Sequence, residues 1–376
     1  MDKEKFTSDI FSYIHLLSLY LNKKKASDFK VDENNISLFV QLSKHHSLIA
    51  LFYKALVDTS AQVSKEDLKK LEEYYFANVR KVALFDKERK EVYKFLNDDQ
   101  IDFLPLKGII LKDYYLDPNT REFADNDILF NVKKDKLVKK FFKDRDYKVE
   151  SFKKSNHDAY TKKPFFNFEM HRALFTDNED RHIYAEYFKD RLNSSPIKEG
   201  YEHYLGNEDF FVYFIAHAYK HFNNSGCGIR TLIDCYLYLR QNQLDFDYIN
   251  QELEKMNLVE FSNMFCSLAN KLFDEQELNE EEKEMFLYIA SSGTYGTLEN
   301  SVNKGVKEKG KFKYFMYRIF PPMSFYKDAY PWAYKTKVLI PVAWIVRTFR
   351  VIFRNPKKAA KELKMISKAK EEKKSD

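Results

Sequence analysis

Two stretches, LPLKGIIL (104–111) and FADNDILFNV (123–132), decide how the chain is read. Leu104–Leu106 is a short apolar run, and Pro105 confines it to an edge or terminal strand position. Gly108 follows at once, and Ile109–Tyr115 reads as a short helix. DILFNV (127–132) is rich in strand-forming residues, with Asp125 and Asp127 two apart at its start. On a strand, residues i and i+2 share a face. Two carboxylates side by side repel, and burying them unpaired is expensive. A divalent cation relieves both problems, and Mg²⁺ (or Mn²⁺) suits such oxygen ligands. Asp-x-Asp is also common in solvated turns, so the doublet needs support from elsewhere.

Support comes from Glu169 in PFFNFEMHRALF (164–175), a second strand candidate. An acid between Phe168 and Met170 needs a reason. Either it faces solvent on an alternating strand, or it supplies a third carboxylate from a neighbouring strand. Three carboxylates can hold two metals, which clamp the attacking and leaving oxygens of a phosphoryl displacement. His171 shares the face of Glu169 and either contacts phosphate or packs beside the site. His157 reads as a solvated loop residue. Lys107-Gly108 is either a plain strand-to-helix turn or a place where phosphate meets backbone N–H groups, with Lys107 as a point charge.

Working outward, Lys134–Asp144 is helical and YKVESF (147–152) alternates. Strands broken by helices predict a sheet domain over 98–176. Residues 1–97 are helical, with Ile10, Ile14 and Leu17, then Leu38, Leu42, Ile49, Phe52 and Leu56, at helical spacing. Ser64 with Asp67 predicts the N-cap of a long helix. Residues 177–353 are helical again: Phe210–His221, Thr231–Arg240, Asn250–Phe273 and Glu280–Ile289, a polar loop over Asn300–Gly310, then aromatic, basic Gly310–Phe353. Residues 354–376 form a basic tail, either a Lys-rich helix or a disordered arm. The fold class is α+β: a small sheet domain framed by helical regions at both ends.

Composition narrows the choice. A chain of 376 residues with 44% hydrophobic and 32% charged residues buries a sizeable core, so a disordered chain or a disulfide scaffold is excluded. It holds nine glycines, and Gly108 alone falls within the first 199 residues, so neither a P-loop nor a dinucleotide fingerprint fits there. Three cysteines without CxxC read as reduced thiols of a cytoplasmic protein. The N-terminus lacks signal-peptide character, and the longest apolar run, near Val338–Val346, is too short to span a bilayer. The net charge is +6, of which Arg354–Asp376 supplies +5, so the body is not a nucleic-acid-binding surface by composition. The tail is either a solvated arm or a contact for acidic lipid or RNA.

These features resemble the polymerase-beta-like nucleotidyltransferase superfamily, and more closely its uncharacterised bacterial nucleotidyltransferase family. That family's pattern is LKG, an Arg four residues before Asp-x-Asp-hydrophobic, then hydrophobic-acid-x-His. The corresponding residues are Leu106-Lys107-Gly108, Arg121, Asp125-Asn126-Asp127-Ile128 and Phe168-Glu169-Met170-His171. HAYKHF…GIRTLIDCYLYL (217–239) and FPPMSFYKDAYPWAY…LIPVAWIVRTFR (320–350) are similar to its helical and C-terminal parts. Ala124 and Asn126 depart from the usual Gly and apolar residue. The resemblance implies Asp125, Asp127 and Glu169 as catalytic metal ligands for Mg²⁺ or Mn²⁺. It implies Lys107, Gly108, Arg121 and His171 against the nucleotide phosphates. The implied reaction moves a nucleoside monophosphate from an NTP to a hydroxyl acceptor (a small molecule, protein hydroxyl or RNA) and releases pyrophosphate. The alternative is a catalytically silent nucleotide-sensing or antitoxin-like partner-binding module with the same fold.

His217 and His221, four apart, fit helix contacts or a pocket edge better than zinc, because no further soft ligand lies near. Arg230 and Asp234, four apart on the next helix, are spaced so that they could pair with each other, and they fit a structural or pocket-edge role. A metal phosphohydrolase built on His217, His221 and Asp234 lacks the adjacent His-Asp doublet that such sites need.

Overall fold

The strand-forming runs assemble into one mixed seven-stranded sheet in a computed structural model that describes residues 3–176, 182–294, 298–321, 323, 326, 330–354 and 356–368. Strand β1 is Phe103–Pro105, β2 Asn126–Phe130, β3 Lys148–Ser151, β4 His157–Lys162, β5 Phe166–His171, β6 Ile197–Glu199 and β7 Glu202–His203. Their order is β3-β4-β5-β2-β1-β7-β6. β2 pairs antiparallel with β1 and parallel with β5, and β3, β4 and β5 form an antiparallel meander. With helical regions before and after the sheet, the molecule is α+β as expected.

The sheet divides two cores. Ile128, Phe130, Phe168 and Met170 point to one face, where helices Lys65–Asp98 and Asp135–Asp144 cover them with Val92, Leu96, Val138 and Phe142. Side-chain alternation sends Asp127, Leu129, Glu169 and His171 to the other face. There Leu104 and Leu129 join the larger core built by the N-terminal and C-terminal helices. The long helix Lys65–Asp98 begins where its cap predicts, with Ser64 Oγ accepting from Asp67 N at 3.1 Å.

Several local expectations change. His157 lies on β4, not in a loop: the strand pairs with β3 and β5 on either side, and its burial alternates, with Asp158 and Tyr160 buried. Asn250–Phe273 is two helices, Phe246–Glu254 and Val259–Phe273, with Asn257 between them in the left-handed region at φ 56°. Asn300–Gly310 is not a loop: helix Leu298–Lys309 hides Val302 and Val306, four apart, beneath an otherwise polar surface. The sheet also continues beyond residue 176 through β6 and β7, whose few residues carry no periodic signal. The tail is helical over Pro356–Lys368. Residues 369–376, and positions 322, 324–325 and 327–329 of the C-terminal motif, lie outside the described residues.

Candidate active site

In the parallel pair, Asp127 of β2 stands opposite Glu169 of β5, and Leu129 opposite His171. The polar face these residues make is roofed by helices Asn207–Asn224 and Ile229–Gln241. Between roof and sheet lies a cavity of about 360 Å³ that Lys107, Asp125, Asp127, His157, Glu169 and His171 line from the sheet side. Glu169 thus lines this cavity and is about three-quarters buried.

Asp127 is only 3% exposed, and its Oδ1 receives both Lys107 Nζ and His171 Nε2 at 2.7 Å. The Nε2–H of His171 donates to the carboxylate, which leaves its buried Nδ1 without a hydrogen-bond partner. Burial alone would raise Asp127, but Lys107 and His171 outweigh it and hold the carboxyl below the usual range. Burial opposes the Lys107 ammonium, yet the charge of Asp127 holds it above its ordinary value. Burial lowers His171, and Lys107 adds to that. Asp125 and Glu169 are less well matched. Burial raises both, and repulsion from Asp127 adds to it, pushing Asp125 up to about 6 and Glu169 up to about 7. Glu169 makes long contacts to His157 (3.8 Å) and His171 (3.9 Å).

Two backbone features position this cluster. Lys107 takes φ 50°, ψ −119°, a strained conformation for a side-chain-bearing residue, and it turns the ammonium back onto Asp127. Gly108 is required by what stands beside it, since an added Cβ would lie 2.6 Å from Arg121 Nη1. From behind the sheet, Arg89 Nη1 donates to Asn126 Oδ1 at 2.9 Å, which explains a polar residue between the two aspartates.

Arg121 closes the far side. Its Nε and Nη2 fork onto Asp234 Oδ1 and Oδ2 at 2.8 and 2.7 Å, and Tyr115 Oη donates to the same Oδ1 at 2.7 Å. The Arg230–Asp234 pair that the helical spacing allows does not form. A buried carboxylate is better satisfied by a planar fork and a phenol than by one helical neighbour, and Arg230 Nη1 donates to the Glu122 carbonyl. Arg121 therefore meets the cavity through Nη1, beside Gly108.

The helical roof brings His217, His221, Arg230 and Asp234 to the cavity. His217 and His221 touch through their Nε2 atoms at 3.2 Å. Burial holds His217 far below the usual imidazole value, and Lys107 and His221 reinforce it. Sequence reasoning missed Tyr213 and Lys220, which also line the cavity, and misplaced His157. Tyr213 could have been found, because positions 213, 217 and 221 form one helical stripe. Burial and the neighbouring His171 and Lys107 lower His157 to about 4, so it is a neutral imidazole at neutral pH.

The residues fit a divalent cation. Asp125 and Glu169, which line one cavity with Asp127, carry raised pKa values because burial disfavours their charge and Asp127 repels them, and a cation would relieve both. Their oxygens suit Mg²⁺ or Mn²⁺. Next to them, His157, Glu169 and His171 each place one ligand atom within 4.8 Å of the others, adding nitrogen donors.

Residues 32–274, well over half the chain, match a family described as uncharacterised nucleotidyltransferase. The chain belongs to this family. No curated protein and no solved structure matches it. The match takes in both strands of the carboxylate cluster and both roofing helices, so it spans the entire cavity lining apart from Thr294. Membership in the uncharacterised nucleotidyltransferases supports a general role in nucleotide transfer.

Proposed function

We propose that the chain transfers a nucleoside monophosphate from an NTP to a hydroxyl acceptor, with release of pyrophosphate. The observation that carries this reading is the side-by-side placement of Asp127 and Glu169 on parallel strands, with Asp125 beside them, inside a cavity large enough for phosphates. Asp125, Asp127 and Glu169 would hold Mg²⁺ or Mn²⁺. When bound, such an ion supplies charge stabilisation for the phosphoryl oxygens. The chain's own residues do the rest. Lys107, now on Asp127, would turn to the phosphates, joined by Arg121 Nη1 and by His171. Glu169, raised toward neutrality, is suited to take the proton of the acceptor hydroxyl as its oxygen bonds to the α-phosphorus and the bond to pyrophosphate breaks. His157, neutral, is suited to hold Glu169 in place. The alternative is a silent nucleotide-sensing or partner-binding module. It is favoured by one contact, Lys107 on Asp127, which already fills the position a cation would take.

Thermal shift with ATP, GTP, CTP and UTP, with and without Mg²⁺, tests both. A ligand bound only by the native state raises the melting temperature. A metal-dependent shift with one NTP, absent in Asp125→Asn/Asp127→Asn, is expected. Pyrophosphate release should fall about 100-fold or more in the same variant. Release that persists in the double variant sinks the site assignment. A shift without turnover, across acceptors of each class, would select the silent module.

A further inference from the structure

The C-terminal helix Ile340–Arg354 has two apolar faces, and the fold uses one. Ile340 and Ala343 are buried against Tyr326, Tyr330 and Ala333, with Trp344 packed beside them. On the opposite side Val342, Ile345 and Val346 recur at i, i+3 and i+4 and remain 46, 58 and 39% exposed. Val338, in the turn that enters the helix, is 83% exposed and extends the row. Aliphatic residues in such a row, on one helix, are a surface built to be covered.

The charge around the row says what covers it. Residues 335–364 contain nine Lys and Arg and one acid, +8, while the rest of the chain sums to −2. Helix Ile340–Arg354 itself holds three arginines and no acid, and the next helix, Pro356–Lys368, is Lys-rich. We infer that this segment docks the protein on the surface of an anionic lipid bilayer. The exposed Val and Ile side chains enter the headgroup–acyl boundary, and the Lys and Arg residues meet the acidic headgroups. An RNA would satisfy the cations but leave the aliphatic row in water. A bilayer edge offers apolar depth and negative charge together. No helix among the described residues is long and apolar enough to cross the membrane, so the contact is interfacial.

The test is co-sedimentation of the full chain with vesicles of phosphatidylcholine alone or with about a third phosphatidylglycerol, at low and high salt. Binding should favour the anionic vesicles by about tenfold or more and weaken with salt. Val342→Asn/Ile345→Asn/Val346→Asn should lower binding about tenfold with an unchanged melting temperature, and Ile345→Asn alone should lower it less. Lys357→Gln/Lys358→Gln/Lys361→Gln should remove the preference for anionic lipid. Equal binding by the triple Asn variant, or no binding to anionic vesicles, overturns the inference. So does a self-associated chain that the triple Asn variant renders monomeric, or an affinity for RNA that the same variant abolishes.

Discussion

Two charged clusters share one cavity and differ in how their charges are balanced. Around Asp234 the chain supplies every partner: a two-pronged guanidinium from Arg121 and a phenol from Tyr115, all at 2.7–2.8 Å. Around Asp127 one lysine and one imidazole are both spent on a single carboxylate, and the two other acids of the cavity wall, Asp125 and Glu169, are pushed toward protonation. The first cluster is complete as folded and ties the strand-side loop to the roofing helix. In the second, burial and mutual repulsion disfavour the charges of Asp125 and Glu169, and a proton or a bound cation would relieve them. Buried charges matched within the chain hold the fold together, and buried charges in excess point to a ligand.

The largest effect should come from opening the complete cluster. Asp234→Ala leaves the Arg121 guanidinium buried without a counter-charge, and breaking such a pair typically removes roughly 3–5 kcal/mol of stability. Denaturant unfolding should show this loss, and neither Mg²⁺ nor Mn²⁺ should restore it. A loss below about 1 kcal/mol would place the pair among solvent-screened ones and erase the contrast. The second effect is smaller and of another kind. Lys107→Gln removes the cation that caps Asp127, which should cost roughly 1–3 kcal/mol in the presence of a chelator. Here added Mg²⁺ or Mn²⁺ should recover the stability, because the ion takes over the charge of the lysine. Equal losses with and without metal would show that the acid cluster has no use for a cation.

The two clusters were not equally legible in the sequence. Asp125, Asp127 and Glu169 could be seen because acids interrupt strand-forming runs, where the period-two rule fixes their common face. The strand pairing that sets Asp127 opposite Glu169 was inferable only as a neighbour relation, since register depends on side-chain packing across the sheet. Arg121 with Asp234 was out of reach. The partners are 113 positions apart, and the helical spacing of Arg230 and Asp234 offered a nearer, incorrect pairing. Gly108 was visible as a lone glycine, but the close approach it permits is that of Arg121, a tertiary contact with no local trace. His157 was misread because its strand is half polar, and strands of that kind differ little from turns in composition.

The smallest effect concerns pH and belongs to the acid cluster. Asp125 and Glu169 have folded pKa values raised from 3.8 to about 6 and from 4.5 to about 7 by burial and by the charge of Asp127. A raised acid binds its proton more tightly in the folded chain than in the unfolded one. Its contribution is therefore fully present below the unfolded pKa and is lost as pH rises through the folded value. Without metal, the cluster should take stability away between about pH 4 and pH 7. Asp125→Asn/Glu169→Gln removes both titrations. In chelator, the double variant should gain on the wild type by roughly 1–2 kcal/mol from pH 5 to pH 8, a figure reduced for the partial exposure of Glu169. Mg²⁺ should stabilise the wild type most at the alkaline end, where both acids are ionised, and should do little for the variant. A difference between the two chains that stays flat with pH would mean that these carboxylates are already balanced. The acid cluster would then be as self-sufficient as the one around Asp234.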